Sequence, residues 1–181
     1  MTKQEKLNDK LIKNAELGNL EQVKYLIEQG TDINAKDYGG NTALTESSYE
    51  GHLDIVKYLI ENGADINTKG ANGYTALIWS SDKGHLEVVK YLIEQGADVN
   101  VKNNNGYTAL HYIKKNNMLD DLIPYVYNYM FFENIYNDLT IEQKHILFEH
   151  FMDNRELLEQ VNPRIMKNFI PDINEYKNNL K

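Results

Sequence analysis

The feature that most constrains this chain is a segment of 33 residues that occurs twice in succession. Residues 37–69 read DYGGNTALTESSYEGHLDIVKYLIENGADINTK, and residues 70–102 read GANGYTALIWSSDKGHLEVVKYLIEQGADVNVK. Parts of the same pattern precede and follow the two copies, so that Gly18, Gly51 and Gly84 fall at equal intervals. A repeat of roughly this length is typical of stacked solenoids, in which each unit packs only on its neighbours. Such a fold presents an extended surface, whereas an enzyme usually encloses a pocket.

Composition excludes several other classes of protein. Acidic side chains outnumber basic ones by 27 to 19, and a net charge of −8 without a basic cluster disfavours binding to nucleic-acid phosphates. No apolar run approaches the roughly 20 residues that cross a membrane, and the first ten residues lack the apolar core of a signal peptide. The absence of cysteine excludes disulfides and thiolate metal sites and fits a reducing compartment. We therefore expect a soluble, monomeric, cytoplasmic protein without a cofactor, whose partner is neither nucleic acid nor membrane.

Within one repeat, the order of residues predicts two short helices joined by a glycine turn. Glycine precedes Thr42, Thr75 and Thr108 by two residues, and threonine is a good N-cap for the helix that follows. Gly51 and Gly84 can adopt the left-handed conformation that ends this first helix. A second helix then carries one apolar stripe at helical spacing, formed by Leu53, Val56, Leu59 and Ile60 in one copy and by Leu86, Val89, Leu92 and Ile93 in the next.

These strings resemble the ankyrin repeat, whose consensus has a glycine turn, a Thr-Pro-Leu-His helix start, Gly-His and Gly-Ala-Asp-Val-Asn. The resemblance is highly specific over residues 37–102. The chain departs from the consensus at the proline, which is alanine at 43, 76 and 109, and at the first histidine, which survives only as His111. The resemblance implies an all-α ankyrin-repeat solenoid with short β-turn tips, closed by a C-terminal helical extension.

We predict three to four repeats over residues 1–128 and a helical extension over residues 129–181. Residues 1–36 fit an N-terminal capping repeat, 37–69 and 70–102 are full repeats, and 103–128 form a degenerate last repeat. In that last repeat Pro124 falls inside the second helix, where it would cost roughly 3 kcal/mol or more. We therefore expect the helix to begin later, with Asp120 or Asp121 as its N-cap. Further capping signals predict short helices near 141–152, 154–161 and 163–170.

A search for catalytic or metal-binding motifs gives no strong candidate. His145 and His150 are five residues apart, which places them on different helix faces, and the zinc-protease spacing is missing. Serines near His52 and His85 invite a nucleophile hypothesis. However, the serines hold the small-residue positions of the repeat, where helices approach closely, and the histidines hold its structural Gly-His position. We expect a protein that is not an enzyme.

The resemblance also implies a partner-binding face, because ankyrin proteins bind through their turn tips and the exposed side of the first helix. The matching positions supply tyrosine and tryptophan, which serve as anchors at protein interfaces. Tyr74 and Tyr107 lie at tips with little core to fill, whereas Trp79 and Tyr112 hold positions that often pack between repeats. The predicted partner-binding residues are Tyr38, Asn41, Tyr49, Glu50, Ala71, Asn72, Tyr74, Trp79, Asp82, Lys83, Asn104, Asn105, Tyr107, Tyr112 and Lys115.

We therefore predict a protein-interaction module that acts as an inhibitor, an adaptor or an effector delivered into the cytosol of a host cell. Its acidic charge favours a partner with a basic surface. Two alternatives stay open. The phenylalanine-rich segment at about 131–170 is similar to the F-box-like ends of poxviral ankyrin proteins, which recruit ubiquitin ligases, although it lacks their Leu-Pro opening. Alternatively, a pocket between the repeats and the extension, lined by Tyr125, Tyr129, His145 and Phe148, would make the protein an enzyme or a small-molecule binder.

Overall fold

The computed structural model describes residues 2–122, together with residues 140 and 144. Over this range the chain forms α-helices and one short 3-10 turn, and no strand. The helices are α1 (Lys3–Glu16), α2 (Leu20–Glu28), α3 (Ala43–Glu50), α4 (Leu53–Glu61), α5 (Ala76–Lys83), α6 (Leu86–Glu94), α7 (Ala109–Lys115) and α8 (Leu119–Leu122), and the 3-10 turn is Ala71–Gly73. The chain divides after Met118 into two units, Met1–Met118 and Leu119–Lys181. The predicted boundary near residue 128 lies outside the described residues and stays a prediction.

The first unit is a stack of helical hairpins. Helices α1 and α2, α3 and α4, and α5 and α6 pair within their repeats, and α7 is the first helix of the fourth repeat. The first helices form one row, in which α1 packs against α3, α3 against α5 and α5 against α7. The second helices form another row, in which α2 packs against α4 and α4 against α6. The predicted all-α solenoid is confirmed.

The helix boundaries follow from the residues that the sequence singled out. The hydroxyl of Thr42 accepts a hydrogen bond from the Thr45 amide at 3.2 Å, and that of Thr75 accepts one from Ile78 at 3.3 Å. Thr108 is also an N-cap, but its side chain makes no capping bond. The first helices α3 and α5 end at Gly51 and Gly84, as predicted, in the left-handed conformation with φ of 82° and 80°.

The apolar face of the second helices is wider than predicted. In α4 the buried residues are Ile55, Val56 and Leu59, whereas Leu53 and Ile60 are only half-buried. The prediction of a single stripe was therefore incomplete. The physical reason is that α4 packs against α3 of its own repeat and also against α2 and α6 on either side, so residues outside one stripe are covered as well.

Histidine side chains tie each repeat to the one before it. The Nε2 atom of His52 lies 3.0 Å from the carbonyl oxygen of Glu16 at the end of α1. In the next repeat, Nε2 of His85 lies 2.8 Å from the carbonyl oxygen of Tyr49 near the end of α3. The last carbonyls of a helix have no partner within the helix, so these bonds satisfy them from the neighbouring repeat. Both histidines therefore have the structural role that their place in the repeat predicted.

The loops between repeats are joined by hydrogen bonds that recur at the repeat spacing. The side-chain oxygen of Asn34 accepts from the Asp65 amide at 2.9 Å, and that of Asn67 accepts from Asp98 at 2.8 Å. Lys36 Nζ donates to the carbonyl oxygen of Lys69 at 2.9 Å, and Lys69 Nζ donates in the same way to Lys102. Adjacent repeats are therefore held in register along the loops as well as through the apolar core.

The second helix of the fourth repeat begins earlier than predicted. Helix α8 starts at Leu119, so the predicted N-cap at Asp120 or Asp121 is wrong. Asn117 adopts a φ of 55°, which is the conformation that glycine has at the equivalent positions, and this turn keeps the helix in the register of the earlier repeats. The two aspartates lie instead in the first turn of α8, where carboxylates interact favourably with the helix dipole.

The predictions for the chain beyond α8 concern residues outside the described part. These are the place of Pro124, the helices near 141–152, 154–161 and 163–170, the extension over 129–181, and the pocket with Tyr125. Among the described helices, none combines the length and apolar character that a membrane-spanning helix needs.

Candidate partner-binding surface

The predicted partner-binding residues lie on one surface, which we call the inner surface. It is formed by the turn tips at 37–41, 70–74 and 103–107 and by the predicted residues on the first helices α3, α5 and α7. The residues differ in how much of each side chain reaches solvent. Exposed are Tyr38, Glu50, Asn72, Lys83, Asn104, Asn105, Tyr107 and Lys115; half-buried are Asn41, Tyr49, Ala71, Tyr74, Trp79 and Asp82; and Tyr112 is buried.

Six aromatic rings form a continuous row across three repeats, which we call the aromatic ladder. Its members are Tyr49, Trp79, Tyr74, Tyr112, Tyr107 and His111. The Tyr49 ring meets Trp79 edge-on at 4.8 Å, and Trp79 stacks on Tyr74 at 4.0 Å between ring centroids. Tyr74 lies 5.9 Å from Tyr112. The separations of 4.8 Å and 5.9 Å are within the range in which aromatic pairs attract beyond the effect of buried area alone, and the Trp79–Tyr74 pair is closer still.

The far end of the aromatic ladder reaches the third tip. Tyr107 meets Tyr112 edge-on at 6.2 Å and stacks on His111 at 4.1 Å. Tyr107 is 44% exposed, whereas Tyr112 is only 6% exposed. The aromatic ladder is therefore a pre-ordered surface whose accessible rings are supported by buried ones.

A hydrogen-bonded network beneath the aromatic ladder fixes two of its rings. The hydroxyl oxygens of Tyr74 and Tyr112 are 2.7 Å apart, and the side-chain amide of Asn103 donates to the Tyr112 hydroxyl at 3.1 Å. The Asn103 oxygen in turn accepts from the amides of Asn105 and Tyr107, both at 3.0 Å. Burial, together with the hydrogen bond to Tyr112, raises the pKa of Tyr74 to about 12. The third tip is thus attached through Asn103 to the same rings that form the surface.

Two lysines from the first helices lie against the aromatic ladder. Lys83 Nζ lies 4.3 Å from the centroid of the Tyr49 ring, which is within the range of a cation–π contact. Lys115 Nζ lies 5.6 Å from the Tyr112 centroid and 3.3 Å from Asp82 Oδ1. The contacts of Lys83 with Tyr49 and of Lys115 with Asp82 join side chains from adjacent repeats.

Hydrogen bonds connect the tips directly. The Asn41 side-chain oxygen accepts from the Ala71 amide at 2.7 Å, and its amide group donates to Glu46 Oε1 at 2.6 Å. Between the next two tips, the Asn104 amide donates to the carbonyl oxygen of Asn72 at 2.9 Å. Asn72 itself has a φ of 54°. The Asn41 oxygen thus holds the first two tips together, while its amide group binds Glu46 within its own repeat.

Carboxylates gather where the inner surface meets α1. Asp37 lies at the first tip, and Glu46 and Glu50 lie one turn apart on α3. Burial raises the pKa of Glu46; the hydrogen bond from Asn41 lowers it in part, and the nearby charges of Asp37, Glu16 and Glu50 raise it further. This end of the inner surface is therefore strongly acidic.

Sequence reasoning missed three residues that shape this surface, namely His111, Asn103 and Glu46. His111 was readable, since it is the one position where the consensus helix-start histidine survives, and it stacks on a tyrosine already predicted. The sequence did not indicate the roles of Asn103 and Glu46, because these roles depend on which side chains the fold places beside them. No group of three or more His, Cys, Asp or Glu side chains in the described residues is arranged to hold a metal ion. His145 and His150 lie outside that part of the chain.

Comparison with known proteins identifies the family. The model for ankyrin repeats (3 copies) matches residues 5–70 and 67–129, which is more than half of the chain. A protein of Rickettsia felis described as an ankyrin repeat protein is 43% identical over 44 residues, covering 24% of this chain and 67% of the relative. A stack of helical hairpins with turn tips on one side is the architecture of ankyrin repeats, and this chain belongs to the ankyrin repeat family. Ankyrin repeats generally mediate protein–protein interaction and are typically non-catalytic.

Proposed function

We propose that this protein binds a partner protein through its inner surface and carries out no chemistry of its own. The observation that carries this proposal is the aromatic ladder, which runs from Tyr49 on α3 to Tyr107 at the third tip. Aromatic side chains that are partly exposed and held in place by neighbours are the residues that most often dominate binding energy.

The order already present in this surface favours tight binding. Ring stacking and the Tyr74–Tyr112 hydrogen bond hold the side chains before a partner arrives, so less conformational entropy is lost on association. An interface of standard size covers about 800 Å² on each protein, and three successive tips with their helices offer a surface of that order.

The predicted residues divide into contact residues and supporting residues. We assign direct contact to Tyr38, Tyr49, Glu50, Ala71, Asn72, Trp79, Asp82, Lys83, Asn104, Asn105, Tyr107 and Lys115. Support is assigned to Tyr112, which is 6% exposed, to Tyr74, which is stacked and hydrogen-bonded, and to Asn41, whose side chain is used between tips.

A pair of matched variants tests this proposal. Tyr107 on the inner surface is 44% exposed, and Tyr25 on the second helix α2 is 53% exposed. We expect Tyr107→Ala to lower the amount of partner recovered by affinity purification from the native cell by about tenfold, since an aromatic anchor contributes about 1–2 kcal/mol. Tyr25→Ala should recover as much as the wild type. The reverse pattern would place the binding site on the second helices and refute the proposal.

The biological setting of this binding is part of the same proposal. We propose a monomeric protein in the cytoplasm, or in the cytosol of a host cell, that acts as an inhibitor, adaptor or effector. The F-box-like alternative and the small-molecule alternative depend on residues beyond α8. No described residue favours either over binding by the inner surface.

A further inference from the structure

The cations of the inner surface are already engaged within the described part of the protein. Lys115 pairs with Asp82 at 3.3 Å, and Lys83 lies over the Tyr49 ring at 4.3 Å. At the edge of the surface, Lys13 on α1 pairs with Glu16 at 2.8 Å. These lysines therefore add little free positive charge for an acidic partner.

Three carboxylates of the inner surface, by contrast, form no ion pair with a described lysine. Asp37, Glu46 and Glu50 have no ion pair with any lysine of the described residues. Within the described part of the chain, the side chains of Asp37 and Glu46 accept hydrogen bonds only from Asn41, a neutral residue, at 2.9 Å and 2.6 Å. Asp37 at the first tip and Glu46 and Glu50 on α3 therefore carry negative charge that no ion pair of the described residues neutralises.

A concavity of about 180 Å³ extends this acidic area toward α1. It is lined by Glu5, Asn8, Asp9, Lys36, Asp37 and Tyr38. The one cation of this lining, Lys36, donates to the carbonyl oxygen of Lys69. Tyr38 is 96% exposed and offers an aromatic face beside the carboxylates, which suits an ammonium or guanidinium group.

We infer that the partner presents a segment with lysine or arginine side chains over Asp37, Glu46 and Glu50 and an apolar side chain against the aromatic ladder. This inference rests on the proposed function and adds the chemistry of the partner. An incoming cation would relieve the repulsion between the three carboxylates, which is the same repulsion that helps to raise the pKa of Glu46. The contact of Lys83 with Tyr49 shows that a ring of this surface accepts an ammonium group.

A random peptide library displayed on phage provides a defined probe. We expect selection on the wild-type protein to enrich peptides that combine lysine or arginine with an aromatic or aliphatic residue. A synthetic peptide of the enriched sequence should bind Glu46→Gln plus Glu50→Gln about tenfold more weakly, because two charge pairs at a partly exposed surface are lost. Its affinity should also fall as salt is raised. Glutamine keeps the oxygen that accepts from Asn41, so the tip should stay ordered.

The matched control removes two charges elsewhere. Glu61 and Glu94 are the exposed last residues of α4 and α6, and the variant Glu61→Gln plus Glu94→Gln should bind the peptide as the wild type does. Enriched peptides without basic residues that still lose affinity in Tyr107→Ala would overturn the inference and leave the proposed function intact. Peptides insensitive to every inner-surface variant would contradict both. A selection without any enrichment would also overturn the inference.

Discussion

Replacing Gly51 by alanine tests the claim that successive repeats interlock through a histidine. Gly51 and Gly84 hold equivalent positions, with φ of 82° and 80°. A methyl group on Gly51 would lie 2.5 Å from Nδ1 of His85, whereas one on Gly84 would meet no atom within 4 Å. The two glycines thus have the same backbone conformation, but a histidine side chain covers only the turn at Gly51.

The expected costs follow from this difference. A left-handed conformation costs an alanine about 1–2 kcal/mol, and both variants carry that cost. Gly51→Ala must also displace the His85 ring, whose Nε2 lies 2.8 Å from the carbonyl oxygen of Tyr49. Losing that bond at a helix end adds about 1–3 kcal/mol. We therefore expect the free energy of unfolding to fall by about 1–2 kcal/mol in Gly84→Ala and by about 2–5 kcal/mol in Gly51→Ala.

Urea unfolding followed by circular dichroism measures both costs. His85→Ala provides the control, because adding Gly51→Ala to it should cost only the backbone term, as in a double-mutant cycle. If Gly51→Ala and Gly84→Ala lowered the free energy of unfolding equally in the wild-type background, the claim that His85 locks onto the turn at Gly51 would be refuted.

Three further predictions concern single side chains. Among the described residues the buried hydroxyl of Ser48 has no hydrogen-bond partner, whereas that of Ser81 donates to the Leu77 carbonyl at 2.7 Å. Ser48→Ala should therefore raise the free energy of unfolding and the melting temperature, and Ser81→Ala should lower both, with changes in free energy of about 1 kcal/mol. Glu46→Gln should stabilise the protein at pH 7 by less than about 1 kcal/mol, since the site is partly solvated, and this gain should disappear in thermal melts below pH 4.5. Tyr74→Phe should lose less stability than the wild type between pH 10 and about 12. An unchanged melting temperature for Ser48→Ala would contradict the first prediction. The second would be contradicted if Glu46→Gln remained more stable than the wild type in acid. The third would be contradicted if Tyr74→Phe and the wild type lost equal stability at alkaline pH.

The signs of the two pH effects follow from proton binding. The pKa of Glu46 is raised above 4.5, so the folded state binds more protons than the unfolded state above that pH. The contribution of Glu46 to stability is therefore complete in acid and is lost as the pH rises through the pKa of Glu46 in the folded state. The pKa of Tyr74 is raised from 10.0 to about 12, so its contribution is complete below pH 10 and is lost as the pH rises toward 12.

The repeat pattern predicted the fold because each repeat meets the same neighbours in the same way. The threonine caps, the left-handed glycines and the row of first helices follow from residues that recur every 33 positions. The start of α8 could not be read from the proline, since Asn117 adopts the left-handed turn that glycine takes in other repeats. Local capping rules applied to Asp120 and Asp121 therefore gave the wrong start.

The candidate surface was less predictable than the fold. Sequence placed Tyr107 and Tyr74 at the tips, but only their neighbours show that Tyr107 is accessible while Tyr74 is stacked and hydrogen-bonded. Likewise, the pKa of Glu46 is raised first by its burial and then by carboxylates that include Glu16 of α1, which is distant along the chain. Contacts between repeats determine these properties, and the 33-residue pattern does not predict those contacts.

Site-specific photo-crosslinking tests the binding claim most directly. A benzophenone amino acid placed at Tyr107 on the inner surface, or at Tyr25 on α2, would be activated in the native cell, and adducts would be identified by mass spectrometry. If the partner binds the inner surface, position 107 should form an adduct with a protein, and position 25 should form no adduct with that same protein. An adduct formed from position 25 alone would show that the partner binds the second helices and would contradict the account.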